Sequence, residues 1–178
     1  MEKGSTLFTG KKLNGSEANN VNDCMLISDI YELQSIQDNR AGRYMLTKDI
    51  DGAATKNWNS GAGFKTLFND SALKFMGVFD GAGYTISDLY INSSTGKYGG
   101  LFGVSAGKIA NVQLSGIDYN FTGGIEAIGG IVGYNVGSSG RLAGSVRNVQ
   151  ASVKITASNF DSSVCTHWRY CRNKCQYC

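Results

Sequence analysis

Four aspartates, Asp49, Asp51, Asp80 and Asp88, are the residues whose type and spacing come nearest to chemistry. Grouped in space they would offer carboxylate oxygens to calcium, which takes roughly six to eight, or the paired carboxylates of acid–base catalysis. Three of them also have a local reading. Asp49 and Asp51 flank Ile50 at a strand end, and Asp80-Gly81 makes a turn. The local reading is adopted, so no catalytic, cofactor-binding or metal residue is assigned and no cofactor is expected. Nucleophilic catalysis lacks a base in the body of the chain, because the single histidine is His167. No HExxH occurs, and the glycines of 77–83 do not form a G-x-x-x-x-G-K-[ST] phosphate cradle.

Three further sets of residues have chemistry in their types. Cys165-x-His167, Cys171, Cys175 and Cys178 crowd the last stretch and suit a zinc site, a disulfide pair, or an extension foreign to the rest of the chain. Tyr84, Tyr90, Tyr98, Tyr119 and Tyr134 would line a carbohydrate-stacking surface, or simply serve as strand formers. Asn14, Asn69, Asn92 and Asn120 head N-x-[ST] triplets, which an Asn- and Ser-rich chain also produces by chance.

The elements that must position these residues come from a repeat. Val78-Phe79 returns 23 positions on as Leu101-Phe102, and Ile86, Leu89 and Ile91 return at the same spacing as Ile109, Val112 and Leu114. A third copy carries Ile131-Val132-Gly133 and then Val146, Val149 and Ala151. A period in the twenties reads as a solenoid, in which each repeat buries its apolar face against its neighbours. The expected core is rows of Ile86, Leu89, Ile109, Val112, Val146 and Val149, with Phe79, Phe102 and Val132 as another row. The 24 glycines and absent prolines suit short strands joined by tight corners. Asp29 and Glu32 form a capping box for a helix to about Gln37, with Ile30, Leu33 and Ile36 on one face. Residues 51–72 read as a long polar connection.

The organisation expected is a flexible leader over 1–24, a β-helix segment over 25–160 and a Cys-rich non-repeat tail over 161–178. The net charge of +3 comes from Arg169, Arg172 and Lys174 in the tail, which leaves a neutral body without a nucleic-acid footprint. No apolar run is long enough to span a membrane, and residues 1–20 contain no targeting signal.

Residues 25–157 resemble the GLUG-motif repeats of filamentous haemagglutinin-type, autotransporter-like bacterial surface adhesins. The resemblance rests on FMGVFDGAGYTISDLYI, on the framed segments Gly99-Gly-Leu-Phe-Gly103 and Gly129-Gly-Ile-Val-Gly133, and on the helix-then-strand opening IYELQSIQDNRAGRYMLTKDID. It implies an all-β fold: a right-handed parallel β-helix of about three coils with an N-terminal capping helix. It also implies a fragment of a secreted or outer-surface adhesin with no enzyme activity. Loops at about 115–128 and 133–145 would be displayed to host-cell or matrix glycans and proteins, or to neighbouring bacterial cells. The alternative is a carbohydrate-active β-helix enzyme fragment or a carbohydrate-binding module, favoured if Asp and Lys or Arg gather beside a groove on one outer face. Val146 to Ile155 is β-prone and guarded only by Arg147 and Lys154. Self-association through this exposed C-terminal coil is therefore expected.

Overall fold

A computed structural model describes residues 24–137 and 144–158. The leader, apart from Cys24, and the whole Cys-rich tail lie outside the described residues, with Asn14 and His167 among them. Within the described span the chain is dominated by short strands. One α-helix of six residues, α1 (Ile30–Ser35), is present.

Short strands arise because glycine recurs wherever the backbone must pass close to a neighbour. Gly42, Gly77, Gly107 and Gly144 each stand just before a strand of the first sheet. The amide that follows each later glycine bonds the carbonyl of the glycine before it: Val78 N–H to Gly42 O at 3.0 Å, Lys108 to Gly77 at 2.9 Å and Ser145 to Gly107 at 2.9 Å. A Cβ on Gly77 would lie 2.0 Å from the Gly42 carbonyl oxygen. This column sets the register of β1 (Cys24–Ile27), β2 (Arg43–Leu46), β4 (Val78–Asp80), β9 (Lys108–Ala110) and β13 (Ser145–Arg147). These five strands form one parallel sheet in that spatial order.

Between visits to the first sheet the chain contributes to a second. There β3 (Ile50–Asp51), β5 (Thr85–Ser87), β10 (Gln113–Phe121) and β14 (Gln150–Ala157) are again parallel neighbours, and β6 (Tyr90–Ser93) also pairs with β10. Two small parallel sheets complete the two circuits that begin at β4 and β9. One pairs β7 (Tyr98–Gly99) with β11 (Ala127–Ile128), and the other pairs β8 (Phe102–Ser105) with β12 (Val132–Asn135).

Register places like positions over one another. Met25, Tyr44, Phe79, Ile109 and Val146 are aligned across the first sheet. Ile50, Ile86, Leu114 and Ala151 are aligned across the second, as are Ile91, Tyr119 and Ile155. Side chains alternate across a strand, so one residue in two turns inward; Tyr44, Phe79, Ile86, Ile109 and Tyr119 are fully buried.

This register corrects the repeat read from the sequence. Phe79 is aligned with Ile109 rather than with Phe102, and Ile86 with Leu114 rather than with Ile109. Ile86 and Ile109 lie in different sheets. The spacing of 23 relates two faces of one circuit, whereas the chain returns to the same face only from Phe79 to Ile109. The later alignments hold, since Phe102 pairs with Val132 and Ile109 with Val146.

Residues 51–72 also differ from the polar connection expected. Phe64, Leu67 and Phe68 are buried, and Leu67 forms a parallel bridge to Phe102. Phe75 adds its ring to the same cluster, 5.5 Å from Phe68 and 5.0 Å from Phe102. The apolar residues here are too widely spaced to show a period.

At the start, Asp29 caps α1 by accepting the Tyr31 and Glu32 amides at 2.9 and 2.8 Å. Glu32 reaches back to the Ser28 amide at 2.7 Å, one residue earlier than a capping box would place it. Such a cap stabilises by about 1 kcal/mol. A single 3-10 turn, Ile36–Asp38, continues α1, and Ile30, Leu33 and Ile36 face into the core. α1 occupies the point in its circuit where later circuits supply a strand of the second sheet.

Candidate functional site

The second sheet carries a polar notch on its outer side. Its origin is a one-residue difference between adjacent strands. Leu114 is opposite Ala151 and Ile117 is opposite Val153, so three steps of β10 face two of β14. The extra residue bulges. Gly116 takes φ +66° there, and Asp88, one circuit earlier, takes φ +54°. Asp tolerates this left-handed region better than most residues, and Gly adopts it freely. The Asp88 amide bonds Ser115 O and the Asp118 amide bonds Leu89 O, both at 2.9 Å, so the corner is held from both sides.

With no side chain on Gly116, the Asp88 carboxylate lies over its backbone; a Cβ there would be 2.7 Å from Asp88 Oδ1. The resulting cleft is open to solvent, has a volume of about 300 Å3, and is lined by Lys56, Asp88, Gly116, Ile117, Asp118, Ser152 and Lys154. Lys154 Nζ stands 3.8 Å from Asp118 Oδ2. This pair is exposed, and such pairs contribute about 1 kcal/mol or less. Two carboxylates that accept, two ammonium groups that donate and a serine hydroxyl can hold a polyhydroxylated or mixed-charge ligand by hydrogen bonds.

The aspartate grouping imagined from the sequence does not form. Asp49 accepts the Thr85 amide, Asp51 the Ala53 amide and Asp80 the Ala82 amide, each at 2.8 Å. These are turn and edge caps. Among the described residues no three His, Cys, Asp or Glu side chains come together as metal ligands. Of the four aspartates only Asp88 lines this cleft; Lys56 and Asp118 were not singled out from the sequence, and Lys154 only as a charge guarding the last strand. The signal was present: Leu114-Ser-Gly-Ile-Asp118 sits above Ala151-Ser-Val-Lys154, which is one residue shorter.

The five tyrosines do not share a surface. Tyr119 is fully buried, and its hydroxyl donates to Gly130 O at 3.1 Å. Burial pushes that hydroxyl's pKa well above the ordinary tyrosine value. Tyr84 stands exposed by itself, and Tyr90 is half-buried. Tyr98 and Tyr134 stack with centroids 5.6 Å apart. Tyr98 donates to Glu126 Oε2 at 2.9 Å, and this hydrogen bond raises its pKa. A second stacked pair, Tyr31 and Trp58 at 4.9 Å, was not expected.

Asparagine has a role that the sequence reading passed over. Asn148 Nδ2 donates to Asn111 Oδ1 at 2.7 Å, and Asn111 Nδ2 donates to Asp80 Oδ1 at 2.9 Å. Asn111 and Asn148 both have positive φ at this corner. Asn120 Nδ2 likewise donates to Asn92 Oδ1 at 3.0 Å. Two of the N-x-[ST] asparagines are thus rungs between circuits, while Asn69 lies exposed outside any strand.

The display loops need redrawing. Residues 115–121 are strand, within β10. The segment after β12 is closed at its base by Gly144 N–H to Val136 O at 3.1 Å and by Asn135 Nδ2 to Gly144 O at 3.1 Å.

No protein-family model matches the chain. Halomucin of Haloquadratum walsbyi is 37% identical over 142 residues, covering 77% of this chain and 2% of halomucin. A provisionally named Gly-rich membrane protein of Evansella cellulosilytica is 34% identical over 96 residues, covering 53% of this chain and 11% of that protein. The chain therefore spans a small part of the curated relatives it matches. Among solved structures, a provisionally named immunoglobulin A1 protease of Bacteroides ovatus aligns with a TM-score of 0.59 at 20% identity, over 76% of this chain and 39% of that one. This likeness is one of fold. Among the described residues no helix is long and apolar enough to cross a membrane.

Proposed function

We propose that the stacked parallel circuits form a right-handed β-helix of the GLUG type, and that the chain is a non-enzymatic contact scaffold within an exported or surface-exposed protein. The observation that carries this reading is the division of labour across the strands. Inward positions are spent on apolar rows, while most outward strand positions are polar and solvent-facing. Such an arrangement presents polar segments on a packed support. A resemblance to parts of halomucin and of a Gly-rich membrane protein supports an exported setting. The partners proposed are host-cell or matrix glycans and proteins, or neighbouring cells.

A second reading, a carbohydrate-binding module or carbohydrate-active fragment, is favoured by one observation: Asp88, Asp118, Lys56 and Lys154 gather around one cleft on an outer face. An experiment separates the two. The purified chain and its Asp88→Asn/Asp118→Asn variant are assayed for adhesion to matrix-coated surfaces and cells, and for binding and cleavage of a polysaccharide panel. The scaffold reading expects adhesion that the double variant retains, with no sugar products. Polysaccharide binding or product release that the variant loses would replace it with the second reading.

A further inference from the structure

Among the described residues the stack differs at its two ends. At the start, the apolar face of α1 lies in the core. At the other end, β14 pairs with β10 along one edge and, among the described residues, with no strand along the other. The apolar rows run out there into solvent. Ile155, in register with buried Tyr119 and Ile91, is 44% exposed, and Val149 is 39% exposed. Val146 and Val153 are only partly covered. The corner ladder ends here too, since Asn148 uses its Nδ2 on Asn111. An eight-residue strand with an edge unpaired among the described residues and Ala151, Val153, Ile155 and Ala157 on one face is a template for strand addition.

We propose that this edge is a homodimer interface, in which β14 pairs antiparallel with β14 of a second copy about a twofold axis at Val153. A second copy fits for two reasons. Among the described residues only one end of the stack leaves a long strand open, so the contact is isologous and closes as a dimer instead of growing into a filament. The strand is also self-complementary in one register. Centred on Val153, Ala151 faces Ile155 of the copy, Val153 faces its counterpart and Lys154 faces Ser152, so apolar positions share the buried face. Moving the axis to Lys154 would set like charges directly opposite, which destabilises a sheet pair. Moving it further towards either end shortens the overlap. This inference goes beyond the scaffold reading and does not depend on it.

The test uses the full chain under reductant, so that cysteine oxidation cannot mimic assembly. Light scattering after size exclusion across the micromolar range is expected to show a reversible dimer. Ile155→Lys, at an exposed position, should leave the circular-dichroism spectrum unchanged and weaken the dimer at least about tenfold. For register, all native cysteines are replaced by serine, and chains carrying Ser152→Cys or Lys154→Cys are oxidised separately and together. Cross-linked dimers are expected from the mixture and not from either chain alone. A monomer throughout the range overturns the proposal, as does a dimer indifferent to Ile155→Lys or one that cross-links equally well in the single-variant samples.

Discussion

Gly77→Ala is expected to destabilise the fold substantially. The added Cβ would meet the Gly42 carbonyl oxygen at 2.0 Å and the Phe75 ring at 3.0 Å. The first obstacle is backbone just before the neighbouring strand β2, and that same carbonyl accepts the Val78 amide. The new methyl can therefore be accommodated only by parting β2 from β4. Overpacking of a close-packed site costs about 1–3 kcal/mol and occasionally more. The rigidity of this obstacle puts the expected loss at the upper end, roughly 3 kcal/mol, by the same rule. Urea unfolding followed by circular dichroism measures it. Gly124→Ala is the matched control, because a Cβ added there would meet nothing within 4 Å and its φ is not positive. Its stability should stay level or rise slightly.

Phe102→Ala is the other change with a large expected effect. Phe102 is fully buried, with its ring 5.0 Å from Phe75 and 5.3 Å from Phe79. It joins the first-sheet row to the segment that bridges at Leu67. Truncation leaves a cavity between three circuits that cannot close without moving paired strands. The expected cost is about 3–5 kcal/mol, a large share of the roughly 5–15 kcal/mol that holds a domain together. Thermal unfolding should fall by of order 10 °C for a domain of this size. Tyr134→Ala, which removes an exposed ring, should shift it by far less. Equal effects in the two variants would mean that Phe102 is not at the centre of the core.

The parts of this fold that were legible in the sequence are those set by local chemistry. Asp29 before Ile30, Leu33 and Ile36 announced α1, and Asp49 and Asp51 flanking Ile50 announced the short strand β3. The register was harder because every face of a circuit has the same needs: an inward apolar residue and a glycine where backbones approach. Phe79 and Phe102 satisfy those needs on two faces of one circuit, so they look like repeat partners although they are neighbours within it. The decisive signal is the glycine two places before an inward residue: Gly42 with Tyr44, Gly77 with Phe79, Gly107 with Ile109 and Gly144 with Val146. Each pair recurs at the spacing of the circuit. The polar notch was not legible from residue types alone. It depends on one residue present in β10 and missing from β14, and so on two strands compared in their true register.

The central claim is that register, and hydrogen-bond scalar couplings measured by NMR test it most directly. The account predicts through-bond couplings from the Lys108 amide nitrogen to the Gly77 carbonyl carbon, from Val78 to Gly42 and from Ser145 to Gly107. Absence of these couplings in a folded sample, with Leu101 or Phe102 coupled to residues of β4 instead, would contradict it.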